Sequence, residues 1–431
     1  MSTFLHAFRS LRNRNYRLFW FGQLVSLAGS WMQDVALSWL VLSITDSPVA
    51  LGLTMAIRFL PSLIFSLYGG VLADRLRKRR AMIYFEAMQL VVALALAILT
   101  STELITVTII YVLAAVRGMI DAVEGPTRQA FVPEMVGTED LTNAIALNST
   151  AFNASRIIGP AIGAVVITAF GIAACFYLNA ASFLAVIIAL LVMRVSELHL
   201  VPRPPREPVF TQLRAGLRYA RSTPDVVVIL IVMGFIGAFG YNFTTLAPLV
   251  TKYVLEAGPS TLALLTTSMG VGAVVAGLFV AYRGRPTQRL LLSSAALFVV
   301  MLAAVGVSQW IPVSVVLMFA MGIVGVLFMT TANTRLQLAV PGHMRGRVMG
   351  IYALLFVGTT PIGAYLMGQL AEAVGVTVMV LIMAALCAVG VVAGFVYSRR
   401  AGTGDFVLEG DGPGGDGVEG GLQVEDRPQA G

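Results

Sequence analysis

The sequence predicts an all-α polytopic membrane protein of about twelve transmembrane helices, and three observations predict it. The 431 residues are 58% hydrophobic and only 12% charged, where a soluble domain carries about 25% charge. Apolar runs of about 20 residues, each long enough to cross a bilayer, recur along almost the whole chain. The polar segments between them sort by charge, basic on one side and acidic on the other. Such runs must be helices, because a helix satisfies its own backbone hydrogen bonds in lipid one span at a time.

Taken in order, the spans fall near 17–43, 49–72, 81–100, 104–127, 143–169, 173–193, 226–251, 260–281, 287–308, 312–335, 346–371 and 376–397. One set of connections carries Arg9, Arg12, Arg14 and Arg17, then Arg75, Arg77, Lys78, Arg79 and Arg80. The same set holds the bases from Arg194 to Arg221, then Arg283, Arg285, Arg289, Arg345, Arg347, Arg399 and Arg400. The other set has Asp46, Glu103, Glu256 and Glu372, with Lys252 its one base. Basic loops stay on the cytoplasmic side, so both termini are expected there, in a cell (cytoplasmic) membrane, and an even span number agrees. No early apolar stretch ends in a small-residue cleavage site, so a cleaved signal peptide is not expected.

The net charge of +7 conceals an acidic end. After Arg400 come seven acids and one base, leaving 28 bases and 15 acids in residues 1–400. That excess is topological and gives no reason to expect nucleic acid as a partner. Residues 401–431, rich in glycine and acids without apolar periodicity, are expected to be a disordered tail.

The longest connection, around VPRPPREPV at 201–209, divides the spans six and six. It predicts an N-terminal bundle over 1–200, a linker over 201–225 and a C-terminal bundle over 226–400. The halves echo one another. PTRQAFVPE at 126–134 is matched by NTRLQLAVPG at 333–342, and Pro160-Ala161-Ile162-Gly163 by Pro361-Ile362-Gly363. Two matches in register make duplication the better account, as in transporters built from paired bundles.

Cys175 and Cys387 lie in apolar runs, and His6, His199 and His343 are scattered, so no disulfide framework, metal site or nucleophile–base pair is read. Neither Lys78 nor Lys252 ends a phosphate-binding Gly-Lys-Ser/Thr loop, which argues against ATP-driven pumping by this chain. No enzyme activity and no cofactor are expected. A membrane receptor or sensor is not removed by composition, but duplication suits alternating access and no sizeable soluble domain receives a signal.

Charges inside the spans carry the functional reading, because each is expensive in lipid. In VRGMIDAVEGPTR, Arg117, Asp121, Glu124 and Arg128 are spaced i, i+4, i+7 and i+11 and share one helix face. Their signs run plus, minus, minus, plus, so the stripe is expected to be internally paired and turned inward. Asp34 lies mid-span on a face with Ser26, Ser30 and Ser38, and Arg156 on a face with Ser149 and Asn153. Arg58 reads either as a cavity charge or as a snorkelling outer residue. The second half's spans read as carrying only neutral polar groups, such as Asn242, Thr266, Thr267, Asn333, Thr359 and Thr360.

GVLADRLRKRR at 70–80 resembles the loop signature of the major facilitator superfamily, matching at Gly70, Leu72, Ala73, Asp74, Arg75, Lys78, Arg79 and Arg80, with Arg77 in place of its second glycine. Arg117 occupies the arginine position of that superfamily's fourth-span motif, and Gly159-Pro160-Ala161-Ile162-Gly163 is similar to the fifth-span motif of its antiporters. WMQDVALSWLV at 31–41 and PTRQAFVPEMV at 126–136 resemble the subgroup that contains the enterobactin exporter and macrolide or drug efflux proteins.

The resemblance implies two six-helix bundles around a central cavity lined by spans one, four and five of the first half. It implies a cytoplasmic gate at Gly70, Asp74, Arg75 and Arg79, with Asp74 facing the start of the eleventh span near Gly346, and a helix-bending motif at Gly159, Pro160 and Gly163. The expected function is proton-coupled export by antiport of an amphipathic small organic molecule such as a drug, siderophore or metabolite, with facilitated or proton-coupled uptake as the alternative. Asp34 and Asp121 are expected to carry the coupling proton, Arg117 to tune them and Glu124 to relay. Arg58, Arg156, Asn153, Trp31 and Asn242 are expected in the substrate cavity. Phe21, Trp31, Trp39 and Tyr241 beside a few charges suit an amphipathic or cationic molecule. The expected partners are that molecule, protons and the lipid bilayer, and a monomer is expected.

Overall fold

A computed structural model describes residues 8–199, 209–283 and 286–403. Every regular element among them is helical. In the first part of the chain these are α1 (Arg14–Thr45), α2 (Pro48–Arg75), α3 (Lys78–Ser101), α4 (Val107–Val136), α5 (Leu141–Phe170) and α6 (Ile172–Val192). After them come α7 (Val209–Ser222), α8 (Pro224–Phe239), α9 (Phe243–Tyr253), α10 (Pro259–Arg283), α11 (Gln288–Val307) and α12 (Ile311–Ala339). The last three are α13 (Gly342–Val357), α14 (Thr360–Val374) and α15 (Val376–Ala401).

Among the described residues ten segments are long and apolar enough to cross a membrane, with residues 344–374 taken as one. α4 is also long, at 30 residues, but its charges set it apart. The helices end where the sequence supplies a stop. Thr106 caps α4 by accepting from the Ile109 N–H, and Gly137, Gly171 and Gly375 turn the chain at positive φ, where a side chain would be strained.

Three features differ from the sequence expectation. The span read at 226–251 is two helices, α8 and α9, interrupted at Gly240–Asn242. The span read at 346–371 is likewise broken, between Val357 and Thr360. Hydropathy averages over such breaks, and a membrane tolerates them where the freed backbone groups are buried in protein. Here the Asn242 carbonyl accepts from the Thr245 and Leu246 N–H groups, and Thr359 Oγ1 donates to the Leu355 carbonyl at 2.6 Å. Third, the expected linker 201–225 contains α7, and the chain turns through 110° between Arg214–Ser222 and Pro224–Phe239. Residues 200–208 and the tail from 404 lie outside the described residues.

Packing repeats along the chain. α2 lies against α4, α3 against α6, and α1 against both α5 and α6. In the later part α10 lies against α12, α11 against α15, and α8 against α15 and α13. Gly118 of α4 sits where a Cβ would overlap the Arg58 carbonyl of α2, and Gly322 of α12 stands in the same relation to the Met269 carbonyl of α10. Only hydrogen at Cα allows backbones this close. Across the two parts α5 packs on α10 and α2 on α14.

The two ends of the molecule are distinct. At one end Ser10 bonds Asn143 and Asp140, Asn15 bonds the Arg194 carbonyl, and Gln288 bonds Ser398 and Thr403. Both ends of the described chain lie here. At the opposite end residues from the two parts meet. Lys252 Nζ donates to the Leu42 carbonyl at 2.5 Å and pairs with Asp46 at 2.7 Å. Tyr253 donates to Asp46 at 3.1 Å, and Ser47 donates to Glu372 at 3.1 Å.

Candidate functional site

A cavity of about 480 Å³ lies between the two parts of the chain. One wall carries the charges: Asp34 and Arg156, with Ser38 and Asn153, stand among Trp31, Val35, Phe59, Phe152 and Pro160 of α1, α2 and α5. The other is apolar and aromatic, formed by Tyr241, Phe243, Leu262, Met269, Met329 and Phe356, with the hydroxyls of Thr266, Thr330 and Thr360. The break between α8 and α9 places Tyr241 at the centre of this second wall. Its ring stacks on Phe298 at 5.8 Å and meets Phe243 and Phe356 edge-on at 5.0 and 5.1 Å.

Asp34 is the carboxylate of the cavity wall, and two guanidiniums cover it from behind. Arg58 Nη1 donates to Asp34 Oδ1 at 2.7 Å. Arg117 Nη1 lies 2.9 Å from the same oxygen, paired by charge but without hydrogen-bond alignment. Both arginines are buried. Arg58 is therefore neither a cavity-lining nor a snorkelling residue; it belongs to the support of Asp34, with its guanidinium 5.1 Å from the Phe59 ring centroid.

The stripe on α4 is paired differently from the sequence expectation. Only Glu124 and Arg128 pair within it, at 3.5 Å. Asp121 accepts from Gln89 Nε2 of α3 at 2.6 Å. Arg128 also donates to Gln23 Oε1 of α1, and Gln23 Nε2 donates to Glu86 Oε1 at 3.0 Å. Glu86, only 1% exposed, was not read from the sequence. It and Gln89 are spaced i, i+3 in an apolar span, which was the available signal. A chain of polar groups, partly buried, thus leads from Asp121 through Gln89, Glu124, Arg128 and Gln23 to Glu86.

Arg156, Asn153 and Trp31 line this cavity, and the Arg156 guanidinium lies 5.8 Å from the Trp31 ring centroid. Asn242 does not line it. It is buried, with Nδ2 donating to the Ala238 carbonyl at 2.8 Å, and it serves the helix break. Phe21 is 53% exposed on the outer surface of the helices, and Trp39 packs into the core.

The second half is not free of deep charge. Arg335 of α12 is 1% exposed, with Nη2 2.8 Å from Gln288 Oε1 and 3.3 Å from Asp225 Oδ1. It lies in NTRLQLAVPG, the segment whose Gln337, Val340 and Pro341 echo Gln129, Val132 and Pro133, and nothing in that echo marks its depth.

α5 passes through Pro160 as one continuous helix. A Cβ at Gly159 would come within 2.5 Å of the Ala28 carbonyl and 2.6 Å of Trp31 Cβ, so this glycine sets the contact of α5 with α1 behind the cavity wall. Gly363 stands in the same relation to the Ala238 carbonyl of α8. Gly163 makes ordinary contact with Met32. Of the loop signature, Arg79 bonds the Leu190 and Leu191 carbonyls at 2.6 and 3.1 Å, tying α3 to α6. The side chains of Asp74 and Arg75, with the site of Gly70, lie outside the described residues.

Residues 5–405 match the family described as transmembrane secretion effector. The chain belongs to that family of the major facilitator superfamily. It is 28% identical to the Staphyloferrin A transporter of Staphylococcus aureus, over 81% of this chain and 87% of that one. It is 27% identical to the multidrug efflux pump Tap of Mycolicibacterium fortuitum, over 88% and 95%. In fold it resembles a bacterial homologue of the human lysosomal transporter Spinster, with a TM-score of 0.72 at 11% identity, covering 89% of this chain and 97% of the other. This major facilitator protein is a multi-pass membrane transporter, and its relatives are transporters rather than enzymes.

Proposed function

We propose that the chain is a proton-coupled exporter, an antiporter, of an amphipathic small organic molecule, working by alternating access between an N-terminal bundle (1–200) and a C-terminal bundle (226–400). The observation that carries this reading is Asp34. It is a carboxylate in the wall of the cavity between the two parts, held by Arg58 and Arg117. The two-faced lining suits a molecule with a polar head and an apolar body. The efflux and siderophore-type relatives support outward transport, and the basic loops support cytoplasmic termini in the cell membrane.

In this mechanism a proton reaching Asp34 removes the negative charge that holds Arg117 across the α1–α4 contact. Asp121, four residues along α4, is then the carboxylate nearest in sequence to Arg117. Exchange of Arg117 between Asp34 and Asp121 loosens α1, which carries Trp31, Asp34 and Ser38 of the cavity wall. Such an exchange couples protonation to the shape of the site. Glu124 continues the polar path toward the end bearing the termini.

Everted membrane vesicles with an imposed pH gradient test the reading. A transported compound should dissipate the gradient with the parent and fail to do so with Asp34→Asn or Asp121→Asn. Compound movement without proton release, or normal coupling in both variants, would overturn it.

A further inference from the structure

We propose that the cavity takes an anionic amphipath, its acidic head on Arg156 and its apolar body against the aromatic wall. The proposal rests on the transport reading of the same cavity and narrows the amphipathic or cationic molecule expected from sequence to one sign of charge.

The argument is one of charge balance. Asp34 is the carboxylate in the lining, and its accessible charge is already taken by Arg58 at 2.7 Å and Arg117 at 2.9 Å. With Asp121 on the neighbouring turn of α4, these four groups sum to zero. Glu124 is matched by Arg128, and Glu86, bonded to Gln23, lies outside the cavity lining and outside ion-pair distance of Arg156. Arg156 remains. Among the described residues no carboxylate lies within ion-pair distance of it, its Nε is buried without a hydrogen-bond partner, and the acceptors beside it, the sulfur of Met269 at 3.9 Å from Nη2 and the Tyr241 hydroxyl, are neutral. The Tyr241 hydroxyl lies against it from the opposite wall.

A guanidinium in a site of limited hydration, with donors unsatisfied, is costly until an acceptor arrives. A carboxylate, phenolate or sulfonate supplies that acceptor and the missing charge together. An ammonium head would meet Arg156 with nothing free to offset the repulsion. The guanidinium lies over the Trp31 ring, 5.8 Å from its centroid, a contact that favours its staying in the cavity wall where the head group would meet it. The body of the ligand then faces Tyr241, Phe356 and Met329, where apolar contact costs no polar desolvation.

The test is equilibrium binding by calorimetry to the purified full chain in lipid nanodiscs, with three probes on one naphthyl-alkyl body: a carboxylate, its primary amide and the corresponding amine. The parent should bind the carboxylate about tenfold or more tighter than the amide or amine. Arg156→Gln should lose most of that preference for the carboxylate over the amide, and Arg156→Lys should keep part of it. Equal binding of all three probes to the parent, or tighter binding of the amine, would overturn the proposal, and that comparison needs no variant. An equal loss for all three probes in Arg156→Gln would overturn it as well. No gradient is present in this measurement. Loss of proton coupling in vesicles would therefore leave the anion site standing, and coupled export of amines alone would sink the anion site and leave the exporter.

Discussion

Arg117 reaches from α4 to Asp34 on α1, 2.9 Å from Oδ1, rather than to Asp121 one turn along its own helix. Arg58 of α2 arrives at the same oxygen at 2.7 Å, so one carboxylate joins three helices. Removing one partner of a buried pair leaves the others uncompensated, which typically costs about 3–5 kcal/mol. Asp34→Asn should therefore lower the thermal stability of the purified protein strongly. Arg58→Gln added to it should recover part of the loss, because one buried positive charge is removed with the negative one. A fully additive pair would show that Arg58 and Asp34 do not act together.

Glu86 offers the converse case. Its Oε1 accepts from Gln23 and its Oε2 has no hydrogen-bond partner. An amide keeps the acceptor for Gln23 and removes a carboxylate from a buried site, so Glu86→Gln should be neutral or stabilising. Glu86→Ala should cost about 1–3 kcal/mol by leaving Gln23 unsatisfied. Unfolding of both variants in the same lipid environment decides this, and a large loss in the glutamine variant would mean that the charge itself is needed.

Gly118→Ala should disrupt the α2–α4 contact, because its new methyl group would occupy the place of the Arg58 carbonyl. Gly125, on the same helix, has open space around its Cβ position. Gly125→Ala should be tolerated and should gain up to about 1 kcal/mol of helix propensity. Comparing their yields of folded protein and thermal stability separates the packing effect from the propensity effect.

At the end away from the termini, Asp46 accepts from Lys252 and from Tyr253, and these bonds together with the Lys252 charge hold its carboxyl below the usual aspartate range. A depressed folded-state pKa stabilises the contact fully above the unfolded aspartate value of about 3.9, and the contribution is lost as pH falls further through the folded-state value. The link between the two parts should thus be insensitive to pH across the neutral range and weaken only in strong acid. A spectroscopic distance between labels on α1 and α9 at this end should lengthen below about pH 4 in the parent. In Asp46→Asn it should be independent of pH. A change centred near neutrality would assign the effect to another group.

Arg335 is held at three points, by the Pro286 carbonyl, Gln288 and Asp225. Arg335→Leu leaves Asp225 and Gln288 without that donor. It should lower stability by about 3–5 kcal/mol, whereas the exposed Arg345→Ala should change it by less than about 0.5 kcal/mol. Thermal unfolding of the two variants checks the contrast.

Much of this architecture was legible because the bilayer imposes one period and one length on the chain. The deep charges Asp34, Arg117, Asp121 and Arg156 were visible as exceptions to hydrocarbon. Their partners were not. Spacing along α4 suggested an Arg117–Asp121 pair, but side chains choose neighbours in three dimensions, and α1 and α2 brought Asp34 and Arg58 closer. Glu86 is not legible as a paired charge because its partner Gln23 is neutral and lies on another helix. The interruptions at Gly240–Asn242 and at Gly358–Thr359 escaped it because hydropathy does not register a change of backbone direction. Arg335 was passed over because pairing with Asp225 requires a contact between residues 110 positions apart.

The unmatched guanidinium of Arg156 has an electrical corollary. An exporter that sends a monovalent anion out for each proton it admits moves two elementary charges in the same sense per cycle. Each is worth about 2.3 kcal/mol per 100 mV, so voltage alone supplies roughly 4.6 kcal/mol per 100 mV. That is a concentration ratio of more than three decades. Such a protein is a current source. Its turnover would appear as a current across a supported membrane even with equal pH on the two sides, and clamping the voltage at zero would leave only the pH difference to drive it.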